Sequence, residues 1–243
     1  VRMQEEVRLA YDIQTNLLPG NVPEIPRYDI VGTSIPAQNV GGDYYDFMPM
    51  EAGRWAISLG DAAGKGMPAA LLMANMQATI RSQSLLNTPA GECLTRANIL
   101  LSQSTSDEKF VTLFHGILDT EQDTFRYANA GHNCPFLLQN DSAAQQLNTT
   151  GALLGVIEEN HVGENEITFH TGDVLAIYSD GITEALNDSR EEFGEERLAS
   201  ILEAHRHESA AQLIDTIMQT VHAYAGETPQ SDDMTLVVMR RIR

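Results

Sequence analysis

Strand-like runs in this chain follow one another through short polar turns, and helices arrive in pairs rather than one after each strand. Runs over residues 29–35, 43–48 and 55–61 come first, the last two separated by a Glu51-Ala52-Gly53 turn. Two helical stretches follow. Residues 67–84 are opened by Gly66 with Pro68 near the first turn, and residues 90–103 carry Leu94, Ala97 and Leu101 at helical spacing. Strand-like runs return over 111–118, 124–130, 135–138, 166–170 and 173–178, then helices over 195–203 and 210–223 and a final alternating strand over 234–242. A doubly wound parallel sheet needs a crossover helix after each strand, and hairpin connections such as residues 119–123 make neighbours antiparallel. The order therefore predicts an α+β chain with mainly antiparallel sheets covered by helices. No internal repeat or low-complexity linker divides it.

Charge narrows the function. Fifteen Lys and Arg stand against 34 Asp and Glu in 243 residues, a formal net charge of −19. A nucleic-acid partner needs a clustered basic face that this balance does not supply. No segment approaches the roughly 20 apolar residues of a membrane span, and the charged N-terminal stretch has no signal-peptide core, so the chain reads as soluble and cytoplasmic. Cys93 and Cys134 stand far apart, without metal-ligand spacing, and read as reduced thiols.

Residues 2–18 form an amphipathic helix, with Val7, Ala10, Ile13, Leu17 and Leu18 on roughly one face and Pro19 as its stop. Two readings stand for it. It packs on the domain, or it connects to an upstream sensor or receiver domain of a longer protein and offers a homodimer contact. Two heptads are too few to define a coiled coil.

Four short motifs put aspartate beside glycine or small residues at strand ends: Gly41-Gly42-Asp43-Tyr44-Tyr45-Asp46, Gly60-Asp61-Ala62-Ala63-Gly64-Lys65-Gly66, Ser179-Asp180-Gly181 and Ser231-Asp232-Asp233-Met234-Thr235. Glycine permits unusual backbone angles and close approach of a ligand to the main chain. Taken singly, Asp-Gly is an ordinary turn signal. If the four converge, carboxylates about 5 Å apart repel by roughly 3 kcal/mol per pair at an effective dielectric near 20. Hard divalent cations remove that cost, and an oxygen donor set without His or Cys favours magnesium or manganese. Two such ions activate a water for in-line attack on a phosphate ester.

These motifs, with the Ile13-Gln14-x-x-Leu17-Leu18-Pro19 segment before them and the Asp232-to-Val238 run after them, resemble the metal-dependent protein phosphatases in their bacterial SpoIIE-like and RsbU-like branch. The resemblance covers nearly the whole chain. It implies a four-layer αββα sandwich of two mainly antiparallel sheets, with residues 1–20 as a linker helix and 21–243 as the phosphatase domain. It further implies two divalent cations, Mn2+ or Mg2+, with Asp61 bridging, Asp43 and the Ala62 carbonyl completing one site, and Asp180 and Asp232 holding the other. Asp233 stands where some relatives have asparagine and ranks below Asp232, and Asp46 is a neighbour acting through water. The implied reaction is hydrolysis of phosphoserine or phosphothreonine by a metal-activated water, on a phosphorylated protein of the anti-sigma-factor antagonist type. A regulatory binding module that kept the fold and lost turnover is the alternative.

Two further residues are substrate-side candidates. Lys65 is either a solvated loop lysine or a cation that steers the phosphorylated substrate, and its Gly64-Lys65-Gly66 setting forms a hinge into the helix at 67–84. His132, in Ala130-Gly131-His132-Asn133, is either a turn residue or a general acid for the leaving oxygen. The Gly60–Gly66 stretch is not a P-loop, because Lys65 comes one place early and no Ser or Thr follows it.

Overall fold

The computed structural model describes residues 2–104, 109–139 and 142–242, with side chains described from residue 5 onward. The backbone divides into two compact units, each drawn from segments far apart in sequence. Residues 1–21, 38–132 and 149–168 make the first, and residues 22–37, 133–148 and 169–243 the second.

In the first unit, β2 (Asp43–Pro49), β3 (Arg54–Ala62), β4 (Val111–Asp119), β5 (Thr124–Ala130) and β8 (Asn165–Thr168) form a five-stranded antiparallel sheet in the order β2-β3-β4-β5-β8. The β2–β3 turn closes with Met50 N donating to Arg54 O at 2.8 Å, and Ala52 and Gly53 adopt φ values of 58° and 68°. That left-handed geometry is free for glycine and costs alanine about 1 kcal/mol. Strand alternation then sorts the side chains. Tyr44, Ala62, Leu113, Ile117, Ala128 and Ala130 pack with Met73, Met76, Ile80, Leu94 and Ala97 of α2 (Met67–Ser84) and α3 (Ala90–Ser104). Asp43 and Asp61, one residue out of step with Tyr44 and Ala62, belong to the opposite face of the sheet.

Helix α1 (Arg2–Leu17) joins this unit through polar contacts. Gln77 Nε2 of α2 donates to Leu17 O at 3.1 Å, while the Gln14 amide grips Gly41, donating to its carbonyl at 2.7 Å and accepting from its N–H at 3.0 Å. Leu9 and Ile13 stay 60% and 56% exposed, so part of the helix's apolar stripe faces solvent.

In the second unit, β1 (Tyr28–Ile35), β10 (Met234–Arg241), β9 (Val174–Tyr178), β6 (Phe136–Leu138) and β7 (Gln145–Gln146) form another five-stranded antiparallel sheet, in that order. Its core joins Val174, Ala176, Tyr178, Leu236 and Val238 to Leu198 and Leu202 of α5 (Glu195–His205) and to Leu213, Ile217 and Val221 of α6 (Ala210–Ala225). A capping box starts α6, with Ser209 Oγ accepting from Gln212 N and the Gln212 side chain reaching back to Ser209 N. A single-turn helix, α4 (Asp180–Thr183), follows β9 directly.

The fold is α+β, with two antiparallel sheets that each carry a helix pair, as the element order predicts. Both cysteines are free, and burial pushes the Cys93 thiol up to about 12, which keeps it protonated and inert. Among the described residues, no helix is long and apolar enough to cross a membrane.

Candidate active site

Each unit builds one pair of the predicted aspartates. In the first, Asp43 opens β2 and pairs in register with Asp61 near the end of β3. Asp43 is buried, Asp61 half-buried. Gly42 lets the two strands close at this end. Its carbonyl accepts from Ala62 N at 3.2 Å, and a Cβ placed on it would lie 2.6 Å from Ala62 O and 3.1 Å from Asp61 Oδ1. Any side chain there would fill the space against the carbonyl and carboxylate oxygens. Lys65 follows on an exposed loop between Gly64 and Gly66, whose φ values of 108° and 66° suit glycine.

In the second unit, Asp180 begins α4 and Asp232 immediately precedes Asp233 and β10. The buried Ser179 ties the two segments together. Its Oγ donates to Asp233 O at 3.1 Å and accepts from Thr235 N at 2.9 Å, and its N–H donates to Thr235 O at 3.0 Å. A Cβ on Gly181 would meet Asp233 O at 2.1 Å, so the α4 backbone lies directly on the Asp232–Asp233 peptides. Gln230 Nε2 donates to Asp232 O at 2.7 Å and to Ile35 O at 2.8 Å.

Asp233 and Asp46 have structural employment. Asp233 Oδ1 accepts from Ala37 N at 2.8 Å, and the Asp233 N–H donates to Asp232 Oδ1 at 3.0 Å. Asp46 points to the helix side of its sheet, where Arg81 binds it through two nitrogens at 2.6 and 3.1 Å. His132 is buried in its turn. Its Nδ1 lies 2.9 Å from Thr112 Oγ1, and the Asn129 side chain bridges its N–H and carbonyl at 2.8 and 3.1 Å. These contacts serve the turn that follows β5.

The candidate donors are all oxygen: two carboxylates and the Ala62 carbonyl in the first unit, and two carboxylates in the second. Glycine lets the main chain close against the carboxylate-bearing segments in both units, so the residues fit hard divalent cations better than zinc or copper. Among the described residues, no group of three or more His, Cys, Asp or Glu side chains forms a cage by itself. Ser179, Gln230 and Arg81 are supporting residues that sequence reasoning missed. Of these, only Ser179 carried a local signal, a serine at the position before a short helix.

Comparison with known proteins supplies the class. The SiaA-PP2C domain of Pseudomonas aeruginosa superposes with a TM-score of 0.86 over 98% of this chain and 97% of that one, at 20% identity, which establishes a PP2C-type fold. The family pattern of stage II sporulation protein E (SpoIIE) matches residues 51–242. The chain belongs to the SpoIIE family, in the SpoIIE/RsbU-like branch of the metal-dependent protein phosphatases. It is 29% identical to phosphoserine phosphatase RsbU of Bacillus subtilis, covering 98% of this chain and 71% of that protein. It is 27% identical to protein IcfG of Synechocystis sp., covering 97% of this chain but 41% of IcfG. The chain thus spans less than half of one curated relative and about seven-tenths of the other.

Proposed function

We propose that the chain is a metal-dependent phosphoserine/phosphothreonine protein phosphatase of bacterial signalling. The observation that carries this reading is the in-register pairing of Asp43 with Asp61 beside Gly42, in a chain of the SpoIIE family. Asp43, Asp61 and the Ala62 carbonyl in the first unit, and Asp180 and Asp232 in the second, would supply oxygen ligands for divalent cations, Mn2+ or Mg2+. When bound, the cations neutralise the carboxylates, polarise the phosphate and activate a water for in-line attack. The chain's own groups orient and charge-balance the site. Ser179 and Gln230 hold the backbone around Asp180 and Asp232, and Gly42 admits the main chain beside Asp61. Lys65 offers a positive charge for the incoming phosphate from an exposed loop. His132 keeps its turn rather than moving a proton.

The substrate is a protein carrying a phosphorylated serine or threonine, of the anti-sigma-factor antagonist type, and α1 links the phosphatase to an upstream sensor or receiver domain. The name of RsbU, a phosphoserine phosphatase, supports the substrate class. The grip of Gln14 on Gly41 supports the role of α1.

Manganese-dependent hydrolysis of an aryl phosphate, measured for the wild type and for Asp61→Asn, tests the reading. Loss of hydrolysis in the variant is expected, and unchanged activity would overturn the mechanism. A chain that binds no divalent ion at millimolar concentration by calorimetry would instead be a binding module on the same fold.

A further inference from the structure

Beneath α2 the first unit carries a polar chain, buried from His115 to Asp46 and open to solvent at Arg81, that the four aspartate motifs do not explain. Arg81, in the last turn of α2, donates from Nε to Asp46 Oδ2 at 2.6 Å and from Nη2 to Asp46 Oδ1 at 3.1 Å. Asp46 is 1% exposed and also accepts from Tyr44 Oη at 3.0 Å and from Phe47 N at 2.9 Å. The Tyr44 hydroxyl is hydrogen-bonded to Ser58, and Ser58 Oγ lies 2.8 Å from His115 Nδ1.

The directions of these bonds follow from the donors available. Asp46 accepts from Arg81 at both carboxylate oxygens, and the single Tyr44 proton also goes to it. Ser58 then donates to Tyr44 and accepts from His115, which fixes His115 as the neutral Nδ1–H tautomer. The chain runs from β4 through β3 and β2 to α2, crossing three strands and a helix on one side of the sheet.

Its location relates it to the site. Tyr44 directly follows Asp43 on β2, and Ser58 precedes Asp61 by three residues on β3. The polar chain therefore grips the β2–β3 ribbon from behind, opposite the face that carries the two carboxylates. The ion pair is buried on one side only, with the Asp46 side chain 2% and the Arg81 side chain 45% exposed, and a pair open to solvent adds little stability of its own. What such a network offers is a single fixed arrangement, because a shift of either strand leaves buried groups unsatisfied.

We propose that Arg81 is a positioning residue for cation binding: by holding Asp46, and through it Tyr44, it fixes β2 against β3 and so sets the spacing of Asp43 and Asp61. This inference rests on the phosphatase reading, which supplies the cation.

Calorimetric titration of Mn2+ into the wild type, Arg81→Met, Arg81→Lys, Tyr44→Phe and Arg96→Met tests it. The last is a control that breaks an exposed pair with Glu92 on α3. Arg81→Met should bind Mn2+ about 10-fold or more weakly, the range typical of residues that orient ligands from behind. The Mn2+ concentration for half-maximal hydrolysis should rise in step, while kcat at saturating Mn2+ stays within about two-fold. Arg81→Lys should recover part of the affinity, and Arg96→Met should match the wild type. Folded Arg81→Met with wild-type Mn2+ affinity would overturn the inference. Should Arg81→Met not fold, Tyr44→Phe, which removes one hydroxyl, decides by the same two measurements. A wild type that binds no Mn2+ overturns the phosphatase reading and this inference together, whereas wild-type binding with unchanged variant binding overturns the inference alone.

Discussion

Asp43 and Asp61 stand directly opposite one another across the β2–β3 pairing, although 17 residues separate them in sequence. Like charges in directly opposed positions destabilise a sheet by roughly 0.2–1 kcal/mol. In the metal-free chain, Asp61→Asn should therefore leave stability unchanged or raise it by up to about 1 kcal/mol while abolishing hydrolysis. Urea unfolding without divalent ions, beside the aryl phosphate assay, checks both halves. A carboxylate whose role was only structural would give the opposite pair of results.

Manganese should stabilise the wild type by mass action, by about 2.7 kcal/mol at a free concentration one hundred times its dissociation constant. Thermal unfolding across a Mn2+ series reads this as a rising midpoint. The rise should shrink sharply in Asp61→Asn and in Asp180→Asn if both carboxylates are ligands.

Gly181 is packed on Asp233 O so closely that an added Cβ would sit 2.1 Å from it. Gly181→Ala must push α4 away from the Asp232–Asp233 segment, at a cost of about 1–3 kcal/mol. Activity should fall further than stability, because Asp180 and Asp232 separate together. Comparing Mn2+ affinity with the urea midpoint distinguishes a displaced site from a merely weakened fold.

Burial lowers the His115 pKa from 6.5 to about 4. Between those values the unfolded chain binds a proton that the folded chain refuses, so stability is full above pH 6.5 and falls as the pH drops towards 4. The slope approaches 1.4 kcal/mol per pH unit, for a total of roughly 3 kcal/mol. His115→Asn, which keeps an N–H donor for Ser58 and cannot take a proton, should flatten this part of the urea stability profile. An unchanged acid limb would assign the loss to other groups.

Asn98 is fully buried on α3 and holds the 155–158 loop by three hydrogen bonds, donating to Ile157 O and Glu158 O and accepting from Gly155 N. Asn98→Ala strands those main-chain groups and should cost about 2–3 kcal/mol. Faster amide exchange confined to residues 155–158 would identify the loop as what comes loose.

Much of the local structure was legible in the sequence because its signals are local. Helix 67–84 is announced by Gly66 before it and Pro68 in its first turn, and the strand over 124–130 matches β5 end to end. What escaped has little local signal. The strand β7 is two exposed glutamines paired to Phe136 and Leu137, with no apolar alternation to betray it. The single turn of α4 is too short for periodicity, so the sequence places Asp180 only at the end of a strand. The fifth strand of the first sheet, expected over 166–170, ends at Thr168 because His170 N turns to Asp173 Oδ2 at 2.8 Å. Among the aspartates, Asp43, Asp61 and Asp180 stand out by their glycine neighbours and Asp232 by the small Ser231 before it. The commitment of Asp46 does not, since its partner Arg81 lies 35 residues further on. Nor could hydrophobic pattern show that Tyr28 pairs with Arg241.

That pairing has a consequence for how the chain is made. Strand β10 lies between β1 and β9 in the second sheet, yet it is the last of the described strands to leave the ribosome. Until it emerges, β1 has no neighbour and β9 has an open edge, while every strand of the first sheet has already been synthesised. Translation therefore completes the Asp43–Asp61 half well before the Asp180–Asp232 half, and a nascent chain stalled before Met234 would expose two unpaired strand edges to chaperones or to its neighbours on the same message.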